Sequence, residues 1–165
     1  MQKGFSIVET LVVIVVGMML LALVGNGLNI LLRTRDSSLV SRDIAQSARQ
    51  IYTPFARSNQ KATRFDVVSG GAELQVTGDP CMLFRYDSIA RVLRYAENAA
   101  QPCTPPTTPT TVLNESSVLV TQLQFVPLPQ AADANTIQIN YTITAARPFS
   151  SGSESFTSSV TLWNP

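Results

Sequence analysis

Glu9 is the first residue of this sequence whose chemistry needs explaining. It stands in KGFSIVETLVVIVV, directly before a stretch from Thr10 to Leu32 that carries no charge. A carboxylate in lipid is disfavoured by roughly 2.5 kcal/mol or more, so an ionisable side chain there calls for a cationic partner. The other reactive pair is Cys81 and Cys103. Few and even in number, they fit one disulfide in an oxidising compartment. Redox or metal chemistry is the rival reading, disfavoured by their wide spacing and by the absence of histidine. That absence also removes the commonest general base. There is no glycine-rich phosphate loop, nucleophile elbow or EF-hand run of acids. Asp133 and Asn135, with Glu154, are oxygen donors of the kind calcium takes, but solvated loop positions are the simpler account. No catalytic residue, metal or cofactor is expected.

The element that positions Glu9 is legible in the pattern. Leu11 to Val24 is apolar apart from Gly17, and at about 1.5 Å per residue the uncharged stretch is long enough for a hydrocarbon core of roughly 30 Å. It must insert as a helix, because unpaired backbone in lipid has no water to bond. A secretory signal peptide competes, with Lys3 as its basic end. Glu9 breaks the start of such a signal, and GNGLNILL after Val24 offers no small-x-small cleavage site. Arg33 and Arg35 follow the span while only Lys3 precedes it, against the usual positive-inside bias. Gly25, Asn26 and Gly27 are the weakest helical point, since glycine costs about 1 kcal/mol relative to alanine. Two readings stand for them: a tolerated kink, or a segment that unwinds on packing.

Past Arg33 the pattern turns amphipathic. Val40, Ile44, Ala48, Ile51, Tyr52 and Phe55 recur at spacings of three and four, with Arg42, Asp43, Gln46, Arg49 and Gln50 off that stripe. This predicts one long helix whose second half packs on a folded domain, bent or ended near Pro54. Arg42 and Arg49 share a face, which reads as solvated in preference to a basic patch for DNA or lipid. Strands are predicted at Glu73 to Thr77, at Cys81 to Asp87 with Ala90 to Ala96 as a hairpin, and at Val118 to Val126, Thr136 to Thr144 and Ser155 to Trp163. Ile137, Ile139, Tyr141 and Ile143 share a face that the helix stripe would cover. The fold class expected is α+β, a long helix lying across an antiparallel sheet. CTPPTTPTT, from Cys103 to Thr111, reads as an extended solvent-facing loop. A disulfide bracketing the hairpin and the start of that loop would stabilise by about 3 kcal/mol in the chain-entropy picture.

A basic leader ending in Gly4, then Phe5, then Glu9 four residues on, then an apolar run resembles the class III leader of type IV pilins and type II secretion pseudopilins. The motif covers about the first fifth of the chain. The resemblance implies cleavage between Gly4 and Phe5 by a prepilin peptidase, N-methylation of Phe5, and passage of the chain from the inner membrane into a pilus or pseudopilus. The new amine of Phe5 would be largely protonated near neutral pH. Glu9 lies one helical turn away and would pair with it, or with that of an adjacent subunit. In apolar surroundings such a pair sets the register of stacked helices, because either charge alone is costly. The alternative is that Glu9 merely supports the helix N-terminus through the dipole. Pilins are also known to unwind past mid-helix, which is the second reading for Gly25 to Gly27; the absence of the proline often found there leaves that reading open. SSVLVTQLQFVPL, NTIQINYTITA and ESFTSSVTLWNP are similar, more loosely, to the last strands of minor pilins of the PilW kind and of the J-type pseudopilin, scarce subunits of tip or initiation complexes.

With 165 residues and 45% hydrophobic content, the chain suits one domain with a core. A net charge of +1 with 14% charged residues does not suit a nucleic-acid binder. The charge is uneven: Lys3, Arg33, Arg35, Arg42, Arg49, Arg57, Lys61 and Arg64 outnumber Glu9, Asp36 and Asp43, and acids prevail beyond. The expected organisation is a leader at 1–4, a transmembrane and assembly helix at 5–32, its amphipathic continuation at 33–58, and a β-rich extracytoplasmic domain at 59–165. The expected partners are prepilin peptidase, other pilins and the membrane. The function expected is that of a minor pilin or pseudopilin, with a major pilin close by. The rivals are a single-pass anchored binding domain that never assembles and a tethered enzyme.

Overall fold

The computed structural model describes residues 7–58, 60, 62–99, 104, 106–128 and 135–162. Helix α1 runs from Ile7 to Ser58 without a break, a rod of about 78 Å at 1.5 Å per residue. Strands β1 (Ala62–Val68), β2 (Glu73–Gly78), β3 (Cys81–Asp87), β4 (Val92–Asn98) and β5 (Thr111–Val112) form one antiparallel sheet in chain order. A 3-10 turn, Ser69–Gly71, joins β1 to β2. Strands β6 (Val118–Leu128), β7 (Thr136–Arg147) and β8 (Ser150–Thr161) form a second antiparallel sheet. The architecture is therefore α+β, a long N-terminal apolar helix packed on antiparallel sheet.

The single sheet of the sequence reading is two sheets. The reason lies at the free edge of β6, where the ladder does not continue. The Val120 N–H donates to Arg91 O at 2.9 Å, and the Val120 carbonyl accepts from the Tyr86 hydroxyl at 2.9 Å. Tyr86 of β3 and Arg91 in the turn after it thus occupy the groups of Val120 that a further strand would need. Asn114 adds a second tie: its Oδ1 accepts the Leu93 N–H at 3.1 Å, and its Nδ2 donates to Val118 O at 2.6 Å. Gly71 sits at φ +96, and a Cβ there would lie 2.8 Å from Gln124 Cγ, so only glycine lets this turn press on β6.

One core joins all three layers. β7 alternates as its sequence does, with Ile137, Ile139, Tyr141, Ile143 and Ala145 buried beneath the helix stripe of Val40, Ile44, Ala48 and Ile51. At the far end of α1 the rings of Phe55, Phe84 and Phe125 form a triangle with centroids 6.3 Å apart on every side. Each ring comes from a different layer, so helix and both sheets share one aromatic junction.

Several local expectations are corrected. Tyr52 is 44% exposed, not part of the buried stripe, whereas Ser47 and Ser58 are buried. The helix does end near Pro54 as expected, four residues on at Ser58. β4 begins at Val92 and not at Ala90, because the Asp87 carboxylate accepts the N–H groups of Ile89 and Ala90 and Arg91 turns through φ 56. β8 starts five residues before Ser155 and ends at Thr161; Trp163 lies outside the described residues. β1 and β5 are additions. In the Pro/Thr-rich segment Thr111 belongs to β5 and Pro109 is buried; Cys103 and Pro105 lie outside the described residues.

Candidate functional site

The first half of α1 is bare. An 18-residue window within it is long and apolar enough to cross a membrane, and none of it is buried within the chain. Leu11, Met18, Leu21, Leu23 and Leu31 are all more than half exposed. A helix this apolar and uncovered within the chain has the surface that lipid or other helices could cover. Glu9 lies in its first turn and is exposed. Gly4 and Phe5, the expected cleavage and methylation residues, lie outside the described residues, so the Phe5 to Glu9 pairing has one end there.

Gly25, Asn26 and Gly27 are helical in the isolated chain. Apart from the adjoining residues and backbone of the helix itself, nothing lies within 4 Å of where a Cβ would stand at Gly17, Gly25 or Gly27. Nothing inside this chain requires their small size. Above them the helix passes through a hydroxyl-rich collar in which Thr34 Oγ1 donates to Ile30 O at 2.9 Å and Ser38 Oγ to Thr34 O at 3.0 Å. Such back-bonding lets polar side chains sit on a helix without unmet donors.

The second half is clamped to the hairpin of β7 and β8. Asp43 Oδ2 accepts from Arg147 Nη2 at 2.6 Å, and Asp36 Oδ2 accepts the Phe149 N–H at 3.1 Å. Between them Gly152 lies so close to the helix that a Cβ would meet Val40 Cγ1 at 2.8 Å. Farther up, the Tyr141 hydroxyl reaches Ala48 O at 3.4 Å. The hydrogen bond and charge of Asp43 hold the Arg147 guanidinium even more firmly protonated than usual. Burial, with the nearby Tyr52, pushes the Tyr141 hydroxyl up to about 12. Burial also raises Tyr95, which hydrogen-bonds Glu97. In the five-stranded sheet, burial opposes ionisation of Glu73, but hydrogen bonds from Arg85 and Gln75 and the Arg85 charge together outweigh it and lower its pKa.

None of the clamp residues was singled out as a site from sequence, since Asp43 and Arg147 lie 104 positions apart. The available signal was the spacing of Asp36 and Asp43, seven apart on one helix face. The other candidates are not gathered together. Asn135 pairs with Leu162, while Glu154 on β8 opposes Ile143; at about 3.3 Å per strand residue these sites are roughly 26 Å apart. Asp133 lies outside the described residues, and among those described no group of acids, cysteines or histidines could hold a metal ion. Cys81, fully buried at the head of β3, is disulfide-bonded; Cys103, the partner expected for it, is outside the described residues. A groove of about 890 Å³ between the two sheets, lined by Tyr86, Gln122, Gln124, Asn140 and Phe156, has Arg91 as the one charged side chain among its described lining. Arg42 and Arg49 are exposed on the helix.

Comparison with protein-family models, with curated proteins and with solved structures finds no match for this chain.

Proposed function

We propose that this chain is a structural subunit of a type IV pilus or type II secretion-type filament, a minor pilin or J-like pseudopilin that primes assembly at the tip. The observation carrying this reading is the conjunction of a wholly uncovered apolar half-helix, an acid in its first turn and an ectodomain clamped to the second half of the same helix. Prepilin peptidase would cut between Gly4 and Phe5, and the exposed amine of Phe5 would then be methylated. The chain would wait in the inner membrane with residues 59–165 on the extracytoplasmic side. Glu9 would meet the cationic chain end of its own or a neighbouring subunit, in surroundings where either charge alone is costly. The glycines at 25 and 27 would supply a stretch able to melt or to admit a neighbouring helix, which accounts for small residues that nothing inside the chain demands. The disulfide would be Cys81 with Cys103. The role needs no cofactor and no catalysis.

N-terminal sequencing of the mature chain, with co-assembly of Glu9→Ala, tests this. The expected chain starts at methylated Phe5, and Glu9→Ala inserts and is cleaved but is lost from sheared filaments or pseudopili by roughly 70-fold, the factor that about 2.5 kcal/mol for an unpaired charge in lipid implies. A chain that starts at Met1, or a variant that co-assembles normally, overturns the proposal. A single-pass binding domain that never assembles has the same bare helix; it would start at Met1, be absent from filaments with or without Glu9, and be indifferent to Glu9→Ala.

A further inference from the structure

We propose that the tip of the β7–β8 hairpin, Pro148 and Phe149, seats in the lipid–water interface of the membrane that α1 spans, with Arg33 and Arg35 on the lipid phosphates beside it. The proposal rests on the reading of α1 as membrane-spanning before assembly. The uncharged stretch ends at Leu32, and Asp36 accepts the Phe149 N–H at 3.1 Å. Four residues of helix rise about 6 Å. The headgroup zone on each side of a bilayer is about 5–7 Å deep, taking roughly 40–45 Å overall and 30 Å for the hydrocarbon. The clamp therefore fixes the hairpin tip at headgroup depth.

The chemistry of the tip suits that zone. Phe149 is 49% exposed although the inner face of its sheet is packed on the helix, and Ala146 and Pro148 beside it are exposed as well. Aromatic side chains concentrate at this level of a membrane. The charges nearest the tip are already sorted. Asp43 is bound to Arg147 and Asp36 to the Phe149 backbone, whereas Arg33 and Arg35 are exposed and pair with no acid among the described residues. Beside the apolar surface stand Arg33 and Arg35, the complement of anionic phosphates, while the charges of Asp36 and Glu115 are shared with Arg147 at the base of the hairpin tip. The hairpin thereby gives the ectodomain a second foothold and a fixed tilt before extraction.

The test uses the full chain in vesicles of phosphatidylethanolamine and phosphatidylglycerol carrying brominated acyl chains. Trp163→Phe removes the native indole, and single tryptophans are placed by Leu20→Trp in the span, Phe149→Trp at the tip, and Leu128→Trp at the opposite end of the same sheet. Bromines near the headgroup are expected to quench position 149 several-fold more than position 128, while deep bromines quench position 20. Equal quenching at 149 and 128, with position 20 quenched, overturns the foothold and leaves the span intact. Absence of quenching at 20 removes the span itself and the proposal with it. If Phe149→Trp does not fold, hydroxyl-radical labelling of the unaltered chain in the same vesicles decides. Corrected for intrinsic reactivity, Phe149 should be oxidised several-fold less than Tyr52, which is similarly exposed in the structure at 44%. Equal oxidation overturns the proposal. Protection that appears only in assembled filaments assigns Phe149 to a neighbouring subunit and overturns it too.

Discussion

From Ile7 to Leu39 no side chain of α1 is buried, whereas from Val40 to Ser58 one stripe is sealed against the sheets. The same continuous backbone thus meets two environments, and the reasons for its helicity differ accordingly. The lower half is long and apolar enough to cross a membrane, and its backbone groups are satisfied within the helix itself, as a lipid setting would require. In the upper half the helix is held by tertiary packing of an amphipathic face, the usual source of helical stability in a folded domain. Substitutions that look alike in sequence should therefore diverge by position: core positions govern folding, and bare positions govern what the chain joins.

The sharpest break of that contrast is Ile51→Ala against Leu20→Ala. Ile51 is fully buried, and its truncation should destabilise the ectodomain by about 2–5 kcal/mol. Leu20 is 57% exposed and lies outside the buried core, and its truncation should stay within about 0.5 kcal/mol. Denaturant unfolding of the full chain in detergent micelles measures both, and equal effects would erase the distinction between the halves. Next comes Gly152→Ala. The added methyl meets Val40 Cγ1 at 2.8 Å, a β-branched side chain with little room to turn, so a loss of about 1–3 kcal/mol is expected. A neutral result would show that helix and hairpin slide freely on each other. The smallest effect concerns pH. The Tyr141 pKa is raised in the folded state, so the stability it contributes is complete below its ordinary value near 10 and disappears as pH rises through about 12. Thermal unfolding followed from pH 9 to 12 should fall less steeply for Tyr141→Phe, with a residual slope because burial raises Tyr86 and Tyr95 as well. An unchanged slope would mean that the hydroxyl is not held out of water in the folded chain.

What could be foreseen tracks how local each signal is. The alternation of TIQINYTIT and the helix stripe are patterns of one element each, and the two faces they define do meet. β1 was hidden because Arg64 and Asp66, which pair with each other at the surface, interrupt the apolar residues around Phe65. The first half of β8, SSGSES, has no apolar residue to mark a face, and its strand character comes entirely from pairing with β7. The break into two sheets depends on a tyrosine hydroxyl and a carbonyl in a turn capturing one valine, which no periodicity encodes. The clamp eluded the sequence reading for the same reason, since Asp36 meets Phe149 across 113 positions. Glu9 was the opposite case. It stood out in the sequence as an anomaly, and the fold supplies its setting, a bare helix, without a partner among the described residues.

The clamp also decides how the molecule bears load. Tension drawn along the lower rod enters the ectodomain at Asp36 and Asp43, and these grip the turn between β7 and β8. Pulling there shears the long ladders of three strands, the stiffest direction of a sheet, while the five-stranded sheet hangs from the same rod chiefly through the Phe55 junction and stays slack. Traction should therefore part the helix from its hairpin before it distorts the outer sheet.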